Sequence, residues 1–325
     1  DNEKVNEMIK TEKKINIKSF IAQYGVIVGL AAILIFFTVM KAKFMTVDNI
    51  VNMLRQTSIN GLLAIGMTFV VLTGGIDLSV GSIVGAAGMF SALAARAETG
   101  IPWPIAVLIG LGVGLLLGAV NGIVVSYLKV PAFIATLGML SIARGVTFMA
   151  SDAKPVPGLS KGFLKIGGGS VGILPYPVLI LIVVLVICFI VLYKTRFGRY
   201  VFATGGNPSS ARVSGINVKR IICSVYMISG LLAGLAGIIL TSRVTSGLAQ
   251  SGNGYEVDAI AAAVIGGTSL SGGRGRLWGT IVGFLIMGVM NNGLDMMAVS
   301  SYWQLVIKGL IIIGAVMLDS LNGGK

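Results

Sequence analysis

Residues 103–127 read WPIAVLIGLGVGLLLGAVNGIVVSY, a run without one charged side chain. A helix needs about 20 apolar residues to cross a hydrocarbon core roughly 30 Å thick, and this run has that length. Inside it Gly110, Gly114, Gly118 and Gly122 recur every four residues and therefore share one helix face. Without side chains they let a neighbouring helix come close and gain van der Waals contact. The stretch reads as a membrane-spanning helix packed against another.

The whole chain has the same character. Hydrophobic residues make up 55% of its 325 positions and charged residues 11%, with 46 glycines. Soluble domains carry about a quarter charged residues, so lipid is the expected solvent. The net charge of +13 does not point to nucleic acid, because Lys and Arg gather at the ends of apolar runs, as membrane orientation requires. Cys188 and Cys223 fall in or near apolar runs and suggest neither a disulfide nor a metal framework. Histidine is absent, which removes the commonest general base and metal ligand. No metal site, cofactor or catalytic residue is expected.

Apolar runs occur at 20–40, 57–73, 79–95, 103–127, 131–150, 175–193, 219–241, 256–270, 277–294 and 301–318. The expected fold is an all-α polytopic membrane protein of about ten transmembrane helices, of which 57–73 and 256–270 are short and read as broken. The run at 20–40 is too long for a signal-peptide core and no Ala-x-Ala site follows, so it reads as an uncleaved anchor. The organisation is then a cytoplasmic tail (1–18), a first transmembrane half (19–193), a cytoplasmic coupling loop with a short helix (194–218), a second half (219–320) and a cytoplasmic end (321–325). With both termini inside, about 15 basic residues face the cytosol against about 8 outside, the outer ones including Lys154, Lys161 and Lys165 of the loop at 152–174. The expected location is the plasma (inner) membrane.

The halves echo each other. Gly61-Leu-Leu-Ala returns at Gly230, an offset of 169, and Gly118-Ala-Val-Asn121 returns as Gly288-Val-Met-Asn291, an offset of 170. The glycines between, Gly110, Gly114 and Gly118, match Gly279, Gly283 and Gly288. Five spans separate equivalent points, so the repeats are inverted, an arrangement that places a substrate path at the repeat interface.

Leu270-Ser271-Gly272-Gly273-Arg274 nearly spells LSGGQ, with which ATP-binding cassettes clamp nucleotide. A cassette also needs a G-x-x-x-x-G-K-[ST] phosphate loop, and the sole Gly-Lys is the terminal Gly324-Lys325. The pentamer reads instead as a tight turn between apolar runs, its glycines taking unusual backbone angles. The chain is not expected to be an enzyme. Contact with an ATPase is expected at Gly205-Gly206-Asn207-Pro208-Ser-Ser-Ala211-Arg212-Val-Ser214-Gly215-Ile216. Asn207 suits an N-cap, Pro208 the first helical position and Gly215 a left-handed C-terminus. Residues 208–214 should thus form a two-turn helix outside the bilayer, a rigid stub that can seat in a partner's groove.

TRFGRYVFATGGNPSSARVSGI at 195–216, LTGGIDLSVGS at 72–82, YEVDAIAAAVIGGTSLSGGRG at 255–275 and SYWQLVIKG at 301–309 resemble the ribose-type permease subunits of monosaccharide ABC importers. The resemblance covers roughly residues 45–320. It implies a homodimer over a cytoplasmic ABC ATPase, fed by an extracytoplasmic sugar-binding protein, with residues 206–216 coupling to the ATPase. The tail departs from the pattern and receives no role.

Charges at membrane depth are costly and face protein or water. Here they are Asp77, Arg144, Glu256, Asp258 and Lys308. Asp77 follows Gly74-Gly75, where a helix should break. Lys308 lies about 10 Å along the last span and should pair with Asp258 or Glu256, tying the halves together. A neutral sugar needs hydroxyl and amide groups, for which Asn60, Thr68, Asp77, Ser79, Asn121, Asn291 and Asn292 are the path candidates. An ion-coupled secondary carrier of a small polar solute, using Asp77, Glu256 or Asp258, is the alternative; it would need no docking stub.

Overall fold

The structure, a computed structural model, describes residues 17–323. The tail expected at 1–18 lies almost wholly outside the described residues, and the end at 321–325 lies partly outside. Thirteen helices and one small hairpin make up the described chain: α1 Ile17–Met40, α2 Val47–Leu72, α3 Val80–Ala95, α4 Trp103–Ser126, α5 Ala132–Ser151, α6 Lys161–Gly168, β1 Ser170–Val171, β2 Leu174–Pro175, α7 Tyr176–Lys194, α8 Arg196–Gly206, α9 Pro208–Val213, α10 Val218–Val244, α11 Tyr255–Ile265, α12 Leu277–Met296 and α13 Ser301–Gly323. By length and composition five of these, α4, α5, α7, α10 and α12, suffice to cross a membrane.

α10 is the hub, packing on α2, α3, α4 and α6. The glycine face expected on α4 is its partner surface. A Cβ at Gly114 would press on the Gly230 carbonyl and sit 2.8 Å from the Gly234 Cα, and one at Gly118 would sit 3.0 Å from the Gly230 Cα. Backbone thus meets backbone, which only glycine permits. On the far side of the hub α2 is buried along its whole length from Thr57 to Leu72.

Contacts between chain segments define two ends. One, the stub end, joins the close of α2 to the turn before α12, since the Gly273 N–H donates to the Leu72 carbonyl at 2.9 Å. α8 and α9 lie there too. At the opposite end Asn49, early in α2, exchanges amide hydrogen bonds of 2.9 and 3.0 Å with Asn292, late in α12. The Val156 and Gly247 backbones also bond each other there at 2.9 Å in both directions. α2 and its sequence counterpart α10 therefore run in opposite directions, as do α4 and α12.

Several boundaries differ from expectation. The segment at 57–73 is not a short or broken helix: α2 spans 26 residues. Hydropathy stops at Arg55 and Gln56, but the helix continues because its polar first turns have protein partners, Asn52 accepting from Arg243 at 3.2 Å. The run at 256–270 is helical only to Ile265, and 266–276 is turn. The 194–218 loop is mostly helix: α8 precedes the stub, with Thr195 Oγ1 accepting from the Gly198 N–H at 3.3 Å as its cap. The loop at 152–174 is anchored by α6, whose Phe163 is fully buried and whose Gly167 N–H donates to Ser242 Oγ at 2.7 Å.

Candidate functional site

α9 owes its form to its own sequence. Asn207 has extended backbone and its Oδ1 accepts from the Ser210 N–H at 3.0 Å, while Pro208 fills the first helical position. The helix stops at Val213. Gly215 turns left-handed at φ +83°, its N–H donates to the Arg212 carbonyl and the Ile216 N–H to the Ala211 carbonyl, each at 3.0 Å. That pair of bonds is a Schellman close. Ala211 is buried, Ile216 packs on the core, and residues 206–210 and 212–215 are exposed. Val213 has 90% of its surface free. The result is a six-residue helix rooted by one face, with α10 capped immediately behind it by Asn217, whose Oδ1 accepts from the Arg220 N–H at 3.1 Å.

The root of the stub is a glycine junction. A Cβ at Gly205 would collide with the Leu72 carbonyl, and one at Gly273 would lie 2.6 Å from the Gly206 Cα. Gly272 and Gly273 take φ of +79° and +71°. The near-LSGG pentamer is therefore a tight turn that grips the base of the stub and the end of α2. No sequence cue joined these three segments, which lie 60 or more residues apart. Lys129, Lys194, Arg196, Arg199, Arg212, Lys219, Arg220, Arg274 and Arg276 sit at this end. Against these nine basic residues, the described segments at this end hold two carboxylates, buried Asp77 and Asp319 near the end of α13.

Two buried carboxylate networks lie within the bundle. Asp77 is fully enclosed between α2 and α3. Its Oδ1 accepts from the Ser79 N–H (3.0 Å) and Ser79 Oγ (2.6 Å), and its Oδ2 from Ser229 Oγ (3.0 Å) on α10. Asn121 on α4 donates to Ser79 Oγ at 2.8 Å. The chain does break at Gly74, φ +78°. In the other network Asp258 on α11 takes Asn291 Nδ2 and Lys308 Nζ on Oδ2, each at 3.0 Å, and the ammonium is also 3.0 Å from Oδ1. The Lys308 ion pair is thus made with Asp258. Glu256 takes no part in it: two helical residues apart means about 200° around the axis, so the two carboxylates face opposite ways.

The remaining path candidates are also engaged or enclosed. Thr68 shares a 2.8 Å hydrogen bond with Thr280, linking α2 to α12. Asn292 is bound to Asn49, and Asn60 is buried on α2. The repeat equivalents Asn121 and Asn291 do parallel work, each delivering an amide to a carboxylate-centred cluster. The carboxylate that Asn291 serves could not be read from the sequence, because it comes from a different helix.

A family model for the branched-chain amino acid transport system / permease component matches residues 49–316. The chain belongs to this permease family. Among its relatives, the ribose import permease protein RbsC of Bacillus subtilis is 44% identical over 317 residues, 96% of this chain and 98% of that one. The ribose import permease of Escherichia coli K12 is 42% identical over 93% of this chain and 95% of its own. The D-allose transport system permease protein of the same organism is 41% identical over 98% of both. No solved structure matches the permease. The four sequence blocks that suggested this family all lie within or overlap the matched region.

Proposed function

We propose that the permease forms the translocation path of an ATP-driven monosaccharide importer for ribose or a similar sugar. The observation that carries this reading is identity of 41–44% across nearly the whole chain to permeases named for ribose and D-allose import. The working unit is a homodimer of two inverted halves per chain. The ten helices that alternate between the two ends (α1–α5, α7 and α10–α13) are its membrane crossings, and both chain termini are cytosolic. The stub end, basic and nearly free of carboxylates, faces the cytosol under the positive-inside rule. Residues 205–216 couple the permease to a cytoplasmic ABC ATPase, and an extracytoplasmic sugar-binding protein delivers substrate to the opposite end. The path runs beside the polar groups named above (Asn60, Thr68, Asp77, Ser79, Asn121, Asn291 and Asn292), whose networks keep its walls rigid. Reconstitution in liposomes tests the whole reading. The permease alone should move no sugar under any ion gradient, and uptake should need ATPase, receptor and ATP together. Uptake by the permease alone, driven by an ion gradient, would replace this reading with an ion-coupled carrier.

A further inference from the structure

Arg144 and Glu256 remain unexplained by the networks above. Both are charged, both lie half-buried inside the bundle, and they do not pair: among the described residues the ion pairs are Arg96–Glu98, Lys154–Asp152 and Lys308–Asp258. They border a cavity of about 260 Å³ between α5, α11 and the segment joining α10 to α11, together with Leu140, Phe148, Gln250 and Asn253.

The surrounding chain makes room for these charges. A Cβ at Gly81 on α3 would run into Glu256 Oε2, and one at Gly85, a turn later, would lie 3.0 Å from Arg144 Nη1. α3 is flat where the two heads rest. α11 has 11 residues and ends at the stub-end turn. At 1.5 Å per residue it reaches only about 16 Å back, roughly half of a 30 Å core. Glu256, at its start, is therefore near the middle of the bilayer. The 245–254 segment must descend to that depth on turns, without an α-helical ladder, which membranes tolerate where backbone is buried or lines a cavity. Arg144 Nη1 meets part of that need, donating to the Ala249 and Ser251 carbonyls at 2.6 and 2.9 Å. Its Nε and Nη2 make no hydrogen bond with any described residue, so three of the guanidinium's five N–H donors are uncommitted.

We propose that this cavity is a transient binding subsite for one neutral monosaccharide on its way through the permease, an inference that rests on the sugar-importer reading. A sugar hydroxyl both donates and accepts, and the cavity offers both: carboxylate acceptors on Glu256, guanidinium donors on Arg144, and amides on Gln250 and Asn253 that do either. Phe148 supplies an apolar face for the C–H side of the ring. The volume falls just under the roughly 300 Å³ at which pockets for drug-sized ligands begin, which suits one ring and excludes a chain of them. Gln250 and Asn253 are exposed on the monomer surface, so the cavity opens to the side of the chain rather than lying sealed in its core.

The test uses the full complex of permease, ATPase and receptor in liposomes. Uptake is compared for two monosaccharides that the wild-type complex accepts and that differ in the configuration of one hydroxyl. The receptor is wild type throughout, so any change in the ratio of the two rates originates in the permease. Gln250→Ala and Asn253→Ala alter exposed side chains and should assemble normally. Each should change the ratio about fivefold to tenfold, the effect of one lost hydrogen bond, and Glu256→Gln should change it further. A purely structural role would lower both rates in proportion. An unchanged ratio in all three assembled variants overturns the subsite while leaving the importer reading intact. A wild-type complex that carries an amino acid zwitterion and no sugar, its carboxylate on Arg144 and its ammonium on Glu256, overturns both.

Discussion

Asp77 and Asp258 are buried carboxylates in the two halves of one molecule, and the halves satisfy them differently. Asp77 is held by two serines and a backbone N–H, with Asn121 one bond further out and no cation. Asp258 is held by an asparagine and a lysine. The helices around Asp77 already meet backbone to backbone through Gly114, Gly118 and Gly230. A short-range cluster of hydroxyls is enough to finish that junction. α13 has no such glycine seam, since a Cβ at Gly309 or Gly314 would meet nothing within 4 Å. Its attachment to α11 depends on the charge that Lys308 carries inward. Tight packing and buried charge are alternative ways to join helices in lipid, and the α4–α10 and α11–α13 contacts use one each.

The comparison predicts unequal costs. Lys308→Met should have the largest effect, roughly 3–5 kcal/mol, because it strands a buried carboxylate. Thermal unfolding in detergent would record it, and Lys308→Met combined with Asp258→Leu should regain most of the loss. A single variant as stable as the wild type would mean that α13 is held some other way. Asp77→Asn removes one acceptor from three donors without stranding a charge, so about 1–3 kcal/mol is expected in the same assay. A cost equal to that of Lys308→Met would erase the proposed distinction. The glycine seam is tested by two neighbours on α4. Gly114→Ala must intrude on the Gly230 backbone and should cost about 1–3 kcal/mol. Gly112→Ala, with open space around it, should be neutral or stabilising by about 0.5–1 kcal/mol. Equal effects would show that the seam is looser than described.

Asn207→Ala should have the smallest effect on stability, about 1 kcal/mol confined to α9. Its effect on uptake should be larger than its effect on unfolding if the stub is, as proposed, the contact surface. Equal losses in both would make Asn207 a purely structural cap.

These contrasts also mark what was legible in the sequence. α9 was readable to within a residue because its start and stop are written in Asn207, Pro208 and Gly215, side chains that act on their own backbone. The need for a Lys308 partner was readable from the expense of a charge in lipid; the choice of Asp258 over Glu256 followed from helical phase, which hydropathy ignores. The first turns of α2 were missed because Asn49 and Asn52 look like loop until their partners on α12 and α10 are known. α8 was missed because its two arginines and three glycines leave no apolar run to read. The cavity at Arg144 and Glu256 draws residues from α5, α11 and the segment before α11, and no local pattern joins them.

Whether the stub meets the ATPase is tested most directly by cross-linking at its exposed face. In a background with Cys188 and Cys223 replaced, Ser209→Cys should cross-link to the ATPase subunit and the adduct should block ATP-driven sugar uptake. Failure to cross-link, with the introduced thiol instead modified by a membrane-impermeant reagent added outside intact cells, would contradict that contact.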